Sequence, residues 1–235
     1  MKIGIFGDSF VEKKYFLNTG NCKTWYYLLK DLYEHEVDVY GESGSSIMFS
    51  AKLIEQYAAQ YDLVIWALTI PGCCSFYSHS NKKNYHFSSS NTMYSVDDVD
   101  IAKKVKIFLD YSKYVVDEQD ENFLYRALVS HLTTIHQNIM VLPCFPYPLQ
   151  TTFDLYNFFN LYAVSVKEAQ HYFPNKNMAE ISQNYMDIRP GHLTDQNHKI
   201  LSKLINDNLS PKIFQTDFKN FVTPTDPLEK VFQKL

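Results

Sequence analysis

The chain has 235 residues, a formal net charge of -4, 46% hydrophobic residues and 20% charged residues. This size and composition are typical of one globular domain and exclude an intrinsically disordered protein. The negative net charge gives no general attraction to nucleic acid or to an anionic membrane, so we expect neither partner. No apolar run approaches the roughly 18 residues of a membrane span, and the first apolar run is too short for a signal peptide. We therefore expect a cytoplasmic protein, and its oligomeric state stays open.

The cysteines give no sign of a metal site. Cys22, Cys73, Cys74 and Cys144 lack the spacing of metal ligands, and the adjacent pair is not a Cys-x-x-Cys motif. Buried thiols in a reducing compartment are the expected state. We predict no metal and no cofactor.

Strand and helix patterns alternate along most of the chain. The strongest strand signal is residues 62–68, where a continuous apolar run follows Asp62, as is typical of a strand covered on both faces. A polar insertion rich in aromatic residues follows at 71–95, and we predict it as a long loop. The predicted strands are 2–6, 36–40, 62–68 and 138–142, and the predicted helices are 22–34, 45–60, 96–115, 118–137 and 194–208.

Alternation of this kind predicts a parallel sheet with right-handed crossovers and with helices on both faces. We predict a three-layer α/β/α domain over residues 1–209, with a mainly parallel sheet of about five strands. Residues 146–186 are expected to form short helices, and residues 210–235 a C-terminal tail. In such a fold the site lies at the carboxyl ends of the strands.

A serine, a histidine and acidic residues occur in loops that are expected to meet at this edge. A serine becomes a nucleophile when a histidine accepts its proton, and an acidic group then orients the imidazole ring. Ser9, His192 and Asp187 supply these three residue types, although a serine after a strand is also an ordinary helix or turn cap. The backbone N–H groups of Ser9 and Gly44 are candidates to face the developing oxyanion. The loops concerned are 7–9, 41–44 and 187–194.

Together these motifs resemble the SGNH (GDSL-type) hydrolase family of esterases, lipases and carbohydrate deacetylases. Gly7-Asp8-Ser9 matches the first block of that family, and Gly44 matches the glycine of the second block. His192-Leu193-Thr194, followed by Asn197-His198, matches the last block. The resemblance implies a flavodoxin-like α/β/α fold and ester hydrolysis through an acyl-serine, with Ser9 as nucleophile and His192 as base.

The chain departs from the family pattern at the third block. That block ends its strand with Gly-x-Asn-Asp, and the asparagine side chain is a further oxyanion donor. Here the strand is followed by Thr69-Ile70-Pro71-Gly72, without an asparagine. The Thr69 hydroxyl or a residue of the insertion is the candidate replacement. One missing donor costs roughly 3 kcal/mol of transition-state stabilisation, so slow turnover is expected.

A second departure concerns the acid. The family places an aspartate three residues before the histidine, and Arg189 occupies that position here. Asp187 lies two residues further upstream, with Pro190-Gly191 between it and the histidine. We take Asp187 as the acid, while Asp195 or a backbone carbonyl remains an alternative.

Other polar residues near these motifs have structural interpretations beside functional ones. Asp8 is a candidate substrate-binding residue, although a turn or hydrogen-bonding role beneath Ser9 is favoured. His198 is expected to be a structural histidine whose hydrogen bonds are satisfied. Arg189 suits either an anionic substrate group or a structural salt bridge. Tyr77 lies in the aromatic insertion, which suits either a sugar-binding lid or packing against neighbouring helices or another subunit.

The leading functional hypothesis is a serine esterase that acts on a small-molecule or glycan ester, with a carbohydrate O-acetyl ester as the substrate guess. A binding or structural protein that keeps the fold without catalysis is the alternative from another class. An acyltransferase would use the same site. A nucleotide-binding function is disfavoured because Gly4-x-x-Gly7 lacks the spacing and the lysine of a phosphate-binding loop.

Overall fold

A computed structural model describes residues 1–12, 24–70, 72–88, 98–144, 193 and 195–215, together with the single residues 175 and 221. Strands and helices alternate along these segments. The strands are β1 (Lys2–Phe6), β2 (Glu36–Val39), β3 (Leu63–Leu68), β4 (Cys73–Ser78), β5 (Lys83–Ser88) and β6 (Ile139–Pro143). The α-helices are α1 (Trp25–Asp31), α2 (Ile47–Tyr57), α3 (Val99–Tyr114), α4 (Glu118–Ile135) and α5 (Asp195–Asn206).

Four of the strands form a parallel sheet in the order β2-β1-β3-β6. The chain after α5 extends this sheet, because the N–H of Val141 donates to the Lys212 carbonyl at 2.8 Å and the N–H of Phe214 donates to the Val141 carbonyl at 2.7 Å. Ile213 thereby pairs with β6 as a parallel bridge at the sheet edge. The order is that of a flavodoxin-like sheet, and the prediction of a mainly parallel α/β fold is confirmed.

The sheet is covered on both faces. All six residues of β3 are buried, and their side chains alternate between two apolar clusters. Ile65 and Ala67 belong to the cluster that contains α1 and α5, whereas Val64 and Trp66 belong to the cluster that contains α2 and α4. The three predicted layers are therefore present.

The structure corrects the prediction for the insertion. Instead of one long loop, β4 and β5 form an antiparallel hairpin that pairs Cys73 with Ser88 and Ser78 with Lys83. The many serine, asparagine and lysine residues conceal this strand pattern. Phe76 anchors the hairpin, since its ring lies 6.4 Å from that of Phe108 in α3 and 6.3 Å from that of Phe87 in β5.

The first part of the predicted tail, residues 210–221, contributes side chains to the core of the domain. Phe214 is fully buried and Phe221 is 2% exposed, and both belong to the cluster on the α1 and α5 face.

The ends of the helices lie within three residues of the predicted ends wherever both are described. The predicted short helices of 146–186 lie outside the described residues. None of the described helices combines the length and the apolar character that crossing a membrane requires.

The hairpin is fixed to α3 by a carboxylate that accepts several hydrogen bonds. Asp98 caps α3 by accepting from the N–H groups of Asp100 and Ile101, and its second oxygen accepts from the hydroxyls of Ser78 at 2.5 Å and Ser80 at 2.8 Å. The two serine hydroxyls and the Ile101 N–H lower the pKa of Asp98 from 3.8 to about 2. Ionisation of this side chain therefore stabilises the fold.

We expect Asp98→Asn to lower the stability at neutral pH, because one carboxylate oxygen becomes an NH2 group. Either the two serine hydroxyls or the two helix N–H groups then lose their acceptor. A lowered pKa contributes stability that is present above the ordinary pKa and is lost as the pH falls towards about 2. The difference in urea midpoint between wild type and variant should therefore disappear over that interval. Asp100→Asn, an exposed acid in the same helical turn, is the control. A difference that is independent of pH would contradict the prediction.

Candidate active site

Ser9 lies at the carboxyl end of β1, as predicted. It is the first residue of a short 3-10 helix, Ser9–Val11, and it is half-buried. Asp8 caps this turn, because its Oδ1 accepts a hydrogen bond of 3.1 Å from the N–H of Phe10. Asp8 is 5% exposed and thus lies beneath the serine as a structural acceptor.

The loop that contains Gly44 is held against the Ser9 turn by the carbonyl of Gly7. This carbonyl accepts from the Ser45 hydroxyl at 3.1 Å and from the N–H of Glu42 at 3.4 Å. Gly41 approaches the turn so closely that a Cβ atom there would lie 2.0 Å from the Val11 carbonyl oxygen. Only a glycine fits at that position, and the first and second predicted loops therefore meet at one edge of the sheet.

Gly44 itself has a left-handed backbone conformation, with a φ of +72°. A Cβ atom on it would lie 3.6 Å from Cβ of His86, which is ordinary contact. The conformation rather than the space therefore favours glycine here. The same distance places the β4–β5 hairpin directly beside the loop that presents the predicted oxyanion donor.

Thr69 follows β3 at the same edge, and its hydroxyl is engaged. It donates to Oδ2 of Asp8 at 2.7 Å, while the hydroxyl of Tyr125 donates to the Thr69 carbonyl at 2.5 Å. Burial raises the pKa of Tyr125 well above its usual value, so this phenol stays a donor. A threonine hydroxyl has a single proton. As an oxyanion donor, Thr69 would have to give up its bond to Asp8.

Thiol chemistry is not supported at this edge. Burial, followed by the charge of Asp8, raises the pKa of Cys73 to about 12. Burial also raises the pKa of Cys74 to about 12. Both thiols are therefore protonated at neutral pH and are poor nucleophiles. They are half-buried rather than buried as predicted, whereas Cys144 is buried.

Among the described residues, no group of three or more His, Cys, Asp or Glu side chains is arranged to hold a metal.

His192, Asp187 and Arg189 lie outside the described residues. Their neighbour Leu193 is 1% exposed and belongs to the buried cluster that also contains Phe10. The alternative acid Asp195 begins α5, and its side chain is not described.

Two of the other predicted residues can be placed. His198 is buried, and its Nδ1 accepts from the N–H of Trp25 at 3.1 Å, in keeping with a structural histidine. Tyr77 is 46% exposed and lies on the same face of β4 as Ser75, with its ring edge-on to His79 at 5.0 Å.

A chain of hydrogen bonds beside Gly44 was not predicted from the sequence. Ser75 Oγ lies 2.8 Å from Nδ1 of His86, and Nε2 of the same ring lies 2.8 Å from Oε2 of Glu42. The N–H of Ser46 also donates to Ser75 Oγ, at 2.9 Å. These residues come from two strands and a loop, and no spacing motif connects them.

Comparison with known proteins gives structural matches only. No protein-family model matches the chain, and no curated protein matches its sequence. Among solved structures, one match is a mutant of Axe2, an acetyl-xylooligosaccharide esterase from Geobacillus, with 13% identity, a TM-score of 0.40, and coverage of 92% of this chain and 97% of that one. Another is a variant described as an acetyl xylan esterase from Geobacillus stearothermophilus, with 12% identity, a TM-score of 0.39 and the same coverage. The strand order and the two helical layers establish the α/β fold without this likeness.

We expect Thr69→Val to destabilise the fold by about 1–3 kcal/mol, because it removes a donor from the buried Asp8 carboxylate. Thr69→Ser keeps the hydroxyl and should cost less. Urea unfolding of the full chain measures both. A Thr69→Val variant with wild-type stability but reduced ester hydrolysis would contradict the structural assignment and would favour Thr69 as an oxyanion donor.

Proposed function

We propose that this chain is a carboxylic-ester hydrolase of the SGNH type, with Ser9 as nucleophile, His192 as general base and Asp187 as the acid that orients the histidine. The observation that carries the proposal is the position of Ser9. It begins a turn capped by Asp8 at the carboxyl end of a central parallel strand, bonded to the loop of Gly44 through the Gly7 carbonyl. Sites of open α/β sheets lie at this edge.

In the proposed reaction, Ser9 Oγ attacks the ester carbonyl and His192 takes its proton. The backbone N–H groups of Ser9 and Gly44 donate to the oxyanion that forms. The intermediate collapses, His192 returns the proton to the departing alcohol, and an acyl-serine remains. Water, deprotonated by His192, then attacks this ester, so that the carboxylic acid leaves and Ser9 regains its proton.

The core supports a meeting of the first and last motifs. Phe10 follows Ser9 in the chain and Leu193 follows His192, and both belong to one buried apolar cluster. Helix α5, which continues from the last motif, is bonded to the start of α1 through His198 and Trp25. These contacts bring the segments next to the serine and the histidine into the same layer of the domain.

The β4–β5 hairpin is the element best suited to contact a substrate. It contacts the loop of Gly44 through His86 and presents the half-exposed ring of Tyr77 on the same strand face as Ser75. An aromatic face among hydroxyl and amide groups suits a sugar, so a carbohydrate O-acetyl ester is the substrate we propose. Arg189 is proposed to bind an anionic group of the substrate.

One observation favours a second function. The third block lacks its asparagine, and the Thr69 hydroxyl donates to Asp8 rather than into the site. With two backbone donors alone, hydrolysis would lose roughly 3 kcal/mol of transition-state stabilisation. A protein that binds a glycan or a small ester without turning it over is therefore the second candidate. Transfer of the acyl group to an alcohol instead of water remains compatible with the same residues.

We expect slow hydrolysis of p-nitrophenyl acetate by the wild type, and we expect Ser9→Ala and His192→Ala to reduce it by roughly 10³-fold or more. Release of p-nitrophenol measures this directly. Matched controls are Ser43→Ala, an exposed serine in the loop of Gly44, and His131→Ala, an exposed histidine on α4. If Ser9→Ala and wild type hydrolyse short acyl esters and acetylated sugars equally, the non-catalytic alternative is favoured.

The role of the acid is tested separately. Asp187→Asn should lower kcat by about 10³–10⁴-fold while the circular dichroism spectrum and the melting temperature stay unchanged, because an amide favours the wrong histidine tautomer. The same assay on Asp195→Asn is the comparison. Full activity of Asp187→Asn together with loss in Asp195→Asn would assign the role to Asp195, and full activity of both would leave it to the backbone.

A further inference from the structure

The chain of hydrogen bonds through His86 connects the hairpin to the loop of Gly44. Glu42 belongs to that loop, His86 to β5 and Ser75 to β4. Ser46, which donates its N–H to Ser75, is the N-cap of α2. This series of hydrogen bonds therefore starts at Glu42 in the loop, passes through both strands of the hairpin and ends at Ser46, two residues after Gly44.

The proton positions in this chain are mutually consistent. An ionised Glu42 can only accept, so Nε2 of His86 carries a hydrogen and donates to it. In the neutral ring Nδ1 then accepts the hydroxyl proton of Ser75. Ser75 Oγ keeps a lone pair, which accepts the N–H of Ser46. Each group makes the bonds that its protons and lone pairs allow, and one arrangement of the two segments is thereby specified.

Serine, histidine and glutamate are also the residue types of a catalytic triad, but the geometry points to a structural connection. Ser75 Oγ already accepts from a backbone N–H, and the His86 side chain is only 9% exposed. The ring is further packed edge-on against Phe49 of α2, with 4.9 Å between the centroids. The histidine is enclosed between the hairpin and the helix, and its two nitrogens are both bonded to neighbours.

We propose that His86 is a positioning residue, which holds the left-handed Gly44 so that its N–H faces the oxyanion during turnover at Ser9. This inference rests on the proposed esterase function. Gly44 lies between the two attachment points of the chain, Glu42 and Ser46. Loss of the imidazole removes the partner of the Glu42 side chain and leaves the Ser75 hydroxyl, which accepts from Ser46, without the group that orients it. The loop can then adopt other conformations. The hairpin thus acts on the reaction through the loop, without contact with the reacting atoms.

The test uses His86→Ala, His86→Asn and His86→Gln in the full chain. An asparagine can reach only Ser75, and a glutamine only Glu42, so each is expected to restore part of the connection. We expect His86→Ala to lower kcat by about 10-fold or more with KM changed less than about 3-fold, because one oxyanion donor is worth about 10²–10³ in kcat when removed outright. Lys83→Ala, an exposed residue on the opposite face of β5, should leave both constants unchanged.

Hydrogen exchange supplies a readout that does not depend on turnover. The N–H of Ser45 donates to the backbone carbonyl of Glu42, and the N–H of Ser46 donates to Ser75 Oγ. Both amides should exchange faster in His86→Ala, because the loop loses the bond that holds the Glu42 side chain, while peptides of β1 and β3 keep their wild-type rates. Unchanged exchange at these amides, or faster exchange with wild-type kcat, would overturn the inference. Ser9→Ala as active as wild type would instead overturn the proposed function. Loss of activity in Ser75→Ala with retention in Ser9→Ala would overturn both and assign the nucleophile to Ser75.

Discussion

The close approach of Gly41 to Val11 is the constraint on which the arrangement of this edge depends. A carbonyl oxygen occupies the space in which any side chain at position 41 would begin. This approach allows Glu12 and Gly41 to form a bridge, and it lets the Gly7 carbonyl accept from the following loop. The turn of Ser9, the left-handed Gly44 and the start of α2 consequently form one unit. Backbone contact rather than side-chain packing determines how these segments lie.

Asp8 connects the ends of the two central strands, β1 and β3, by hydrogen bonds. Its carboxylate accepts from the N–H of Phe10 in its own turn and from the hydroxyl of Thr69 after β3. A buried carboxylate is stable only when such donors surround it. The exits of β1 and β3 are therefore held together by charge-assisted hydrogen bonds beyond the point where the sheet ladder ends. Thr69 thereby supports the turn of Ser9 through Asp8.

Much of the fold could be predicted from the sequence because local residue patterns determine its strands and helices. The continuous apolar run of β3 and the glycine that ends β1 predict buried parallel strands, and Ser9 lies where that pattern puts it. The sequence did not predict the hairpin, because β4 and β5 are stabilised by pairing with each other and by the contact of Phe76 in β4 with α3. No local sequence pattern encodes either interaction. The bonds of Thr69 to Asp8 and of His86 to Glu42 join residues that are 61 and 44 positions apart, and only the fold brings them together.

The bridge between Ile213 and β6 has a consequence for how the chain is made. Strands β1, β2, β3 and β6 leave the ribosome well before residues 212–214, yet these residues cover the edge of β6. A nascent chain that has already folded its four strands therefore leaves this edge of β6 without residues 212–214 until they emerge. Such an edge is a template for pairing with other chains. Residues 212–214 therefore remove a template for pairing at the last stage of assembly of this sheet edge.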